Sequence, residues 1–242
     1  MSGVRRWTSN LGAMFLNSAA LRLLFPAAAV GFAMRAPAHG WGLSNLVAAP
    51  FWVPVPGSIA ILELAIYLQH VMFHAAPILW RLCRTHHADL DYDVATGVRF
   101  HPIEILPSML IKFAVIGAQA VAVVIFEVVL NATTMFNHGN LRLSIAFDRV
   151  APADRHPDMR RVHHSVGDHE VNSNFGFNLS LWNRLLGAYM AQPDTGHKAT
   201  TLGIRDYRAL GLMNGLPGRL VLPFLGRIAG YAINRRAWTR SS

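Results

Sequence analysis

The chain has 242 residues and a formal net charge of +9, with 52% hydrophobic and only 14% charged residues. Soluble domains average roughly 25% charged residues, so this composition excludes a disordered chain, a coiled coil and a collagen-like fibre, and it disfavours a soluble enzyme. It favours an integral membrane domain, and the single cysteine excludes an internal disulfide framework. The cations form no long run of the kind found in nucleic-acid-binding tails, so we expect no nucleic-acid partner.

The first apolar stretch covers residues 14–34 and is interrupted mainly by Arg22. A membrane-spanning helix needs roughly 20 such residues. Arg5 and Arg6 precede the stretch, and because basic residues favour the cytoplasmic side, a cytoplasmic N-terminus is predicted. A secretory signal peptide is the alternative, since it also combines a basic start with an apolar core.

The next apolar segment is interrupted by prolines and a glycine at positions 54–57. A helix is therefore predicted to begin near Ser58, as its N-cap, and to end near Ala75, before the following proline. If the first span runs outward, this helix returns inward. Its last turns then carry His70 and His74 to the cytoplasmic face.

The third apolar stretch, residues 104–136, is too long for one comfortable span and short for two. We predict a helical hairpin that turns near Gly117, because a single straight span would place His138 on the side opposite the other histidines. Residues 208–233 are apolar but broken by glycines and prolines, so they are predicted to lie at the membrane interface rather than to span it.

Strand-like alternation is scarce in this sequence. The predicted fold class is therefore all-α, an integral membrane helical bundle with a cytosolic histidine-rich cap. Three regions are expected: an N-terminal membrane segment and loop over 1–57, a histidine-rich domain over 58–192, and a peripheral tail over 193–242.

Histidine is the most unusual component, with 12 residues in the chain. His70 and His74 have the i, i+4 spacing that places two imidazoles on one helix face. Two histidine pairs and one isolated histidine follow near the ends of the apolar segments. Ionisable groups near or inside the membrane are unfavourable and tend to be functional, so we predict that these side chains bind metal: His70, His74, His86, His87, His138, His163 and His164.

The pattern also restricts the metal chemistry. Imidazole suits zinc, copper, iron and nickel. A zinc peptidase helix would need a glutamate directly after the first histidine, and this position is Val71. Histidine clusters without intervening carboxylates suit iron that activates O₂ to attack an unactivated C–H bond.

Two segments resemble the fatty acid hydroxylase/sterol desaturase superfamily of membrane histidine-box oxygenases. The segment 70–104, HVMFHAAPILWRLCRTHHADLDYDVATGVRFHPIE, resembles the family's HxxxH box, its LWR-x-HxxHH box and its RFHPxE segment. The segment 157–189, PDMRRVHHSVGDHEVNSNFGFNLSLWNRLLGAY, resembles its second HxxHH box, its NYG segment and its WDRLFGTY segment. The resemblance implies a helical membrane hydroxylase or desaturase with a di-iron site facing the cytosol. It also implies a lipid substrate, O₂ as co-substrate, and a redox protein as electron donor.

This chain departs from the family pattern at the first histidine of each HxxHH box. Cys83 stands in the second box and Arg160 in the third, so six of the family's eight box histidines remain. A thiolate can still ligate a metal, whereas a protonated guanidinium cannot.

The resemblance implies how the ligands are divided between two metals. One metal takes a complete set, His70, His74, His87 and His164. The other takes Cys83, His86, His138, Arg160 and His163. Because both replaced positions belong to the second metal, we expect it to bind weakly, with low or no hydroxylase activity. Arg160 is expected to turn to the surface or to pair with Asp158 or Glu170.

Several further residues are candidates for contacts that orient the ligands. Asp89, Asp93 and Glu170 could accept imidazole N–H groups or form ordinary surface salt bridges. His101 is expected to have a structural role at a helix start, and Asn183 replaces the aspartate of the family's WD pair.

The sequence is compatible with two main functions and, less well, with a third. The first is an O₂-dependent iron oxygenase that hydroxylates or desaturates a lipid. The second is a catalytically degenerate membrane homologue that keeps at most one metal and binds a lipid or a partner. A histidine-based metal transporter is the third, and few spans are available to build its pathway.

Overall fold

The computed structural model describes residues 3–25, 31, 34–40, 50, 53–115, 120–139, 157–178, 180–196, 198–209 and 215–226. Within these ranges the chain is helical and contains no strand, only one isolated bridge between Ser165 and Leu202. The predicted all-α character is therefore confirmed for the described part of the chain.

The longer helices come first in the chain. They are α1 (Gly3–Leu24), α2 (Pro54–Ala75), α3 (Pro77–His87), α4 (Pro102–Val115) and α5 (Ala120–Asn137). Four short helices follow, α6 (Pro157–His163), α7 (Asp168–Val171), α8 (Leu181–Leu185) and α9 (Leu216–Val221). Three 3₁₀ turns complete the set, Ala36–His39, Val94–Val98 and Leu222–Phe224.

Helix α2 ends at Ala75 as predicted, but it begins at Pro54 rather than near Ser58. Prolines are tolerated in a first helical turn because its N–H groups have no intrahelical acceptor. The same rule starts α3 at Pro77. Ala76 between the two helices is extended, with ψ 119°, because the residue before a proline avoids the helical region. This break turns the chain so that α2 and α3 pack against each other.

The predicted first span differs from the structure. Helix α1 begins at Gly3 and buries Arg6, Asn10 and Asn17. Arg6 forms ion pairs with Asp89 and Asp93, Asn10 accepts from Arg219, and Asn17 donates to the Phe100 carbonyl at 3.0 Å. Within the stretch 14–34, residues 26–30, 32 and 33 lie outside the described residues, and so do residues 41–49 after it.

Two helices, α4 and α5, occupy the third apolar stretch, in line with the predicted hairpin; the turn around Gly117 lies outside the described residues. The Lys112 ammonium pairs with the Glu127 carboxylate at 2.6 Å and links the two helices. Among the described residues one helix, Pro54–Ala75, is long and apolar enough to cross a membrane.

Two hydrophobic clusters hold the helices together. The first joins α2, α4 and α5 through Leu62, Ile66, Met109, Val123 and Phe126. The second surrounds α3 and contains residues from widely separated parts of the chain: Phe73, Trp80, Cys83, Ala88, Val171, Ile204 and Leu222. Leu222 belongs to the segment predicted to be interfacial. The second cluster therefore packs the segment around Leu222 against the helix that carries His86 and His87.

Candidate metal centre

The seven predicted ligand histidines converge in the interior, although five come from three helices and two come from the positions directly after helices. His70 and His74 lie on α2, His86 and His87 on α3, and His163 ends α6. His138 directly follows α5 and His164 directly follows α6. The least buried of the seven, His70, is only 6% exposed.

The first group of ligand atoms comes mainly from α2 and α3. The donor atoms of His70, His74, Cys83 and His87 all lie within 4.8 Å of one another. His163 joins them, because its Nε2 is 3.1 Å from that of His70. We call these five residues the first centre.

The second group is smaller. The donor atoms of His86, His138 and His164 lie within 4.8 Å of one another, and the Nε2 atoms of His138 and His164 are 3.1 Å apart. We call these three residues the second centre. Its neighbours are aromatic: the His86 ring stacks on Phe100 at 4.7 Å between centroids.

This grouping corrects the division that the resemblance implied. His164 lies in the second centre, whereas His163 and Cys83 lie in the first. The physical reason is helical geometry: successive residues on a helix point roughly 100° apart, so each adjacent histidine pair sends one ring to each centre.

The hydrogen bonds show how these imidazoles are oriented. The Nδ1 of His70 faces the Phe175 carbonyl at 2.8 Å, and the Nδ1 of His163 faces the Ser173 carbonyl at 2.7 Å. A carbonyl can only accept, so both Nδ1 atoms carry the proton and both Nε2 atoms present lone pairs. Those lone pairs point at each other across 3.1 Å, which is repulsive unless a positive charge lies between them.

A proton does not supply that charge easily in so buried a site. Burial, followed by the positive charge of Arg160, lowers the pKa of His163 well below its ordinary value. The same two causes lower the pKa of His138 to about 3. Neutral imidazoles with converging lone pairs are the form that ligates metal, so the residues present fit a metal-binding role at both centres.

The two centres differ in how firmly their rings are oriented. In the first, Asn172 Oδ1 faces His74 Nδ1 at 3.3 Å, in addition to the carbonyl contacts of His70 and His163. In the second, only His138 has such a contact, donating from Nδ1 to the Thr134 carbonyl at 2.7 Å. The Nδ1 atoms of His86 and His164, like that of His87 in the first centre, have no hydrogen-bond partner among the described residues.

Arg160 is buried beside the centres rather than turned to the surface, so that expectation was wrong. The residue is 1% exposed, its Nη1 donates to the Asn174 carbonyl at 3.4 Å, and its guanidinium lies 4.5 Å from the centre of the Phe177 ring. Burial lowers the pKa of Arg160 to about 10, so it stays charged at neutral pH. Its expected partner Glu170 instead accepts hydrogen bonds from Ser165 and from the backbone of Asp194. The side chain of Asp158 lies outside the described residues.

The carboxylates Asp89 and Asp93 do not orient imidazoles. Asp89 pairs with Arg6 at 2.9 Å and with Arg99 at 3.1 Å. Asp93 caps the 3₁₀ turn Val94–Val98 and binds Arg6. Arg6 of the N-terminal helix thus forms ion pairs with both carboxylates. The sequence around Asp89 does not predict this contact, because Arg6 is 83 residues away along the chain.

The remaining candidates have structural contacts. His101 Nδ1 accepts from the backbone N–H of Ile103 and its Nε2 donates to the Leu220 carbonyl, both at 3.2 Å, which is the predicted structural role at the start of α4. Asn183 Oδ1 accepts from the Gly176 N–H at 3.0 Å and so holds the loop that contains the Phe175 carbonyl.

The contacts that sequence reasoning missed come from one loop, residues 172–178. It supplies Asn172 Oδ1 and the carbonyls of Ser173 and Phe175 to three ligand rings. The resemblance of this segment to the family's NYG motif indicated that the loop matters. It did not predict these contacts, because two of the three acceptors are backbone carbonyls, which any residue type provides.

A cavity of about 300 Å³ leads to the centres. His70, Cys83 and His86 line it together with a largely apolar wall that includes Ile66, Phe73, Ile105, Met109, Leu130 and Phe177. Along α4 the lining runs from Glu104 to Lys112, about 12 Å of helix. The shape and chemistry suit an extended apolar chain.

Outside the centres, the exposed His169 pairs with Asp194 at 2.7 Å. Glu170 lies close to both, but its carboxylate already accepts the hydrogen bonds given above. This surface group has the character of an ordinary salt bridge.

Comparisons with known proteins found a matching family model and several similar relatives. The fatty acid hydroxylase family model matches residues 55–188. The chain is similar to the ornithine lipid hydroxylase OlsE of Rhizobium tropici, with 28% identity over 172 residues, 69% of this chain and 49% of that protein. It is also similar to alkylglycerol monooxygenase of Xenopus tropicalis, with 23% identity over 160 residues, 64% of this chain and 35% of that protein. Human alkylglycerol monooxygenase is 23% identical over 134 residues, 52% of this chain and 28% of that protein. The chain thus spans about half or less of the length of these relatives, and no solved structure matches it.

Proposed function

The chain belongs to the fatty acid hydroxylase family, and from this premise we propose that it is a membrane-bound, O₂-dependent iron oxygenase that hydroxylates or desaturates a lipid. One observation carries the proposal. Buried neutral imidazoles face each other Nε2 to Nε2 at 3.1 Å, and one histidine of each centre, His70 and His86, lines a largely apolar cavity.

The first centre would hold one iron through His70, His74, His87 and His163, and the second would hold another through His86, His138 and His164. Bound iron supplies the activation of O₂ that attack on a C–H bond requires. The protein's own contribution is orientation, because the carbonyls of Ser173 and Phe175 fix the rings of His163 and His70.

The cavity supports a lipid substrate. Its apolar wall would exclude water and hold an acyl chain extended, and the lining histidines His70 and His86 would face a carbon of that chain. The names of the relatives point the same way, since the three are called an ornithine lipid hydroxylase and alkylglycerol monooxygenases.

The outer surface supports a membrane location. Large apolar side chains on the outward faces of α2, α4 and α5 are exposed, among them Leu68, Leu110 and Val128, which is 63% exposed. Soluble monomers rarely expose large apolar patches, and this number of exposed large apolar side chains on three helices favours a lipid environment. We place the histidine centres on the cytoplasmic side, where a redox protein would deliver electrons, because basic residues accompany them.

Arg160 favours a second candidate function. A permanently charged guanidinium buried near both groups of rings opposes the binding of a dication, by several kcal/mol at an effective dielectric near 20. The second centre has only three donors and two unoriented rings, so it would bind its metal more weakly. A homologue that keeps one metal and binds lipid without turnover is the resulting alternative.

The test combines metal analysis with lipid analysis. Cells expressing the chain and the variant His74→Ala are compared by mass spectrometry of total lipids, and the purified proteins by elemental analysis. The exposed His169→Ala is the matched control. The proposal expects iron and a hydroxylated or desaturated lipid with the wild type and the control, and neither with His74→Ala. Iron-free wild-type protein or unchanged lipids would contradict it; one metal per chain without a new lipid would support the degenerate alternative.

A further inference from the structure

The one cysteine of the chain lies within the first centre. Cys83 is on the last turns of α3 and is 1% exposed. Its Sγ is 3.6 Å from His74 Nε2, and it lies within 4.8 Å of the donor atoms of His70 and His87. A packing role alone would not require the sulfur to converge with three imidazole donors.

The direction of the His74 ring shows what faces the sulfur. Its Nδ1 is directed at the Asn172 amide oxygen at 3.3 Å, so Nδ1 donates and Nε2 presents a lone pair. That lone pair points toward both Cys83 Sγ at 3.6 Å and His87 Nε2 at 3.1 Å. Three electron-pair donors therefore converge on one point, which is the arrangement of a metal coordination sphere.

Arg160 provides the charge that complements a thiolate at this position. Its Nε and Nη2 have no hydrogen-bond partner among the described residues, although the side chain is 1% exposed. Burial, followed by the charge of Glu104, raises the pKa of the Cys83 thiol, and the positive charge of Arg160 opposes these two effects. In the family pattern both positions are neutral histidines. Replacing them with a thiolate and a guanidinium adds one negative and one positive charge, so the net charge at the two positions is unchanged.

We propose that Cys83 coordinates the metal of the first centre as a thiolate, and that its negative charge offsets the buried guanidinium of Arg160. On metal binding the S–H bond breaks, a sulfur–metal bond forms and the proton passes to solvent, with no change of oxidation state. The centre then has mixed sulfur and imidazole ligands, a set that takes Zn²⁺, Co²⁺ or Fe²⁺. The inference rests on the proposed function only in requiring that the histidines hold a metal.

The test loads the full-length apoprotein in detergent with Co²⁺ alone and records its absorption spectrum. A thiolate on Co²⁺ gives a charge-transfer band in the near ultraviolet, while the visible d–d bands report cobalt bound by any ligand. We expect the near-ultraviolet band in the wild type and its loss in Cys83→Ser, with the visible bands retained. Since the chain contains one cysteine, the band has one possible source.

Two outcomes would overturn the inference and are distinguishable. Visible bands without the near-ultraviolet band in the wild type would disprove thiolate ligation while leaving the histidine centres intact. Absence of any bound cobalt would contradict this inference and the proposed function together. Cys83→His serves as a folding control, because an imidazole at this position should keep cobalt bound without the sulfur band.

A double-mutant cycle tests the role of Arg160. If the thiolate offsets the guanidinium, Cys83→Ser should weaken Co²⁺ binding more when Arg160 is present than in an Arg160→Gln background. We expect the two losses of affinity to differ by roughly threefold or more. Equal losses in both backgrounds would show that the two side chains act independently and would overturn the charge-offset part of the inference.

Discussion

The two histidine centres lie side by side but are built differently. The first has five converging residues, and oxygen acceptors orient three of its rings: those of His70, His74 and His163. The second has three residues, and an oxygen acceptor orients only His138. Acceptors on the second ring nitrogen fix the tautomer and raise ligand basicity. The difference predicts that metal affinity depends on the contacts from the loop 172–178 as well as on the histidines themselves.

The largest effect is expected from His74→Ala. His74 is fully buried, and its Nε2 lies close to both His87 and Cys83. Losing an outer-shell contact already lowers metal affinity 10–100-fold, so losing this ligand should empty the first centre and reduce product by more than about 100-fold. Elemental analysis and lipid mass spectrometry measure both, and a variant that keeps its metal would contradict the assignment.

His138→Ala should separate the centres. It leaves the second centre with His86 and His164, too few donors to retain a metal, and it leaves the first centre untouched. We expect metal content to fall while the Co²⁺–thiolate band of the first centre persists. Loss of that band in a variant that still elutes as a folded protein would show that the two groups of rings form one coupled site.

The double change Cys83→His with Arg160→His should strengthen the weaker second centre through the loss of the Arg160 guanidinium, because position 83 belongs to the first centre. It restores the family's eight box histidines and removes the guanidinium charge beside both groups. Bound metal is expected to rise toward two per chain, measured by elemental analysis against the wild type. Wild-type protein that already holds two irons at full occupancy would disprove the idea of a weakened second centre.

Asn172→Leu should have the smallest effect of these changes. It removes the amide oxygen that faces His74 Nδ1 at 3.3 Å, and affinity at the first centre should fall roughly 10-fold. Asn172→Asp, which keeps an oxygen acceptor, is the matched control. Equal affinities in the wild type and Asn172→Leu, measured by competition with a chelator, would show that this contact does not tune the metal.

The sequence predicted that the histidines converge because each group of them lies at or near the end of an apolar segment. The i, i+4 pair on α2 and the end of that helix at Ala75 followed from helix geometry and from Pro77. Which histidine serves which centre did not follow, because the direction of each ring depends on how α3 and α6 pack. The partners of Asp89 and His74 also escaped prediction, since they lie 83 and 98 residues away along the chain.

The most direct test of two unlike centres is an anaerobic Fe²⁺ titration of the apoprotein by equilibrium dialysis, with His74→Ala and His138→Ala alongside. Two classes of site are predicted in the wild type, a tighter one lost in His74→Ala and a weaker one lost in His138→Ala. A single class of site that disappears in both variants would contradict the account.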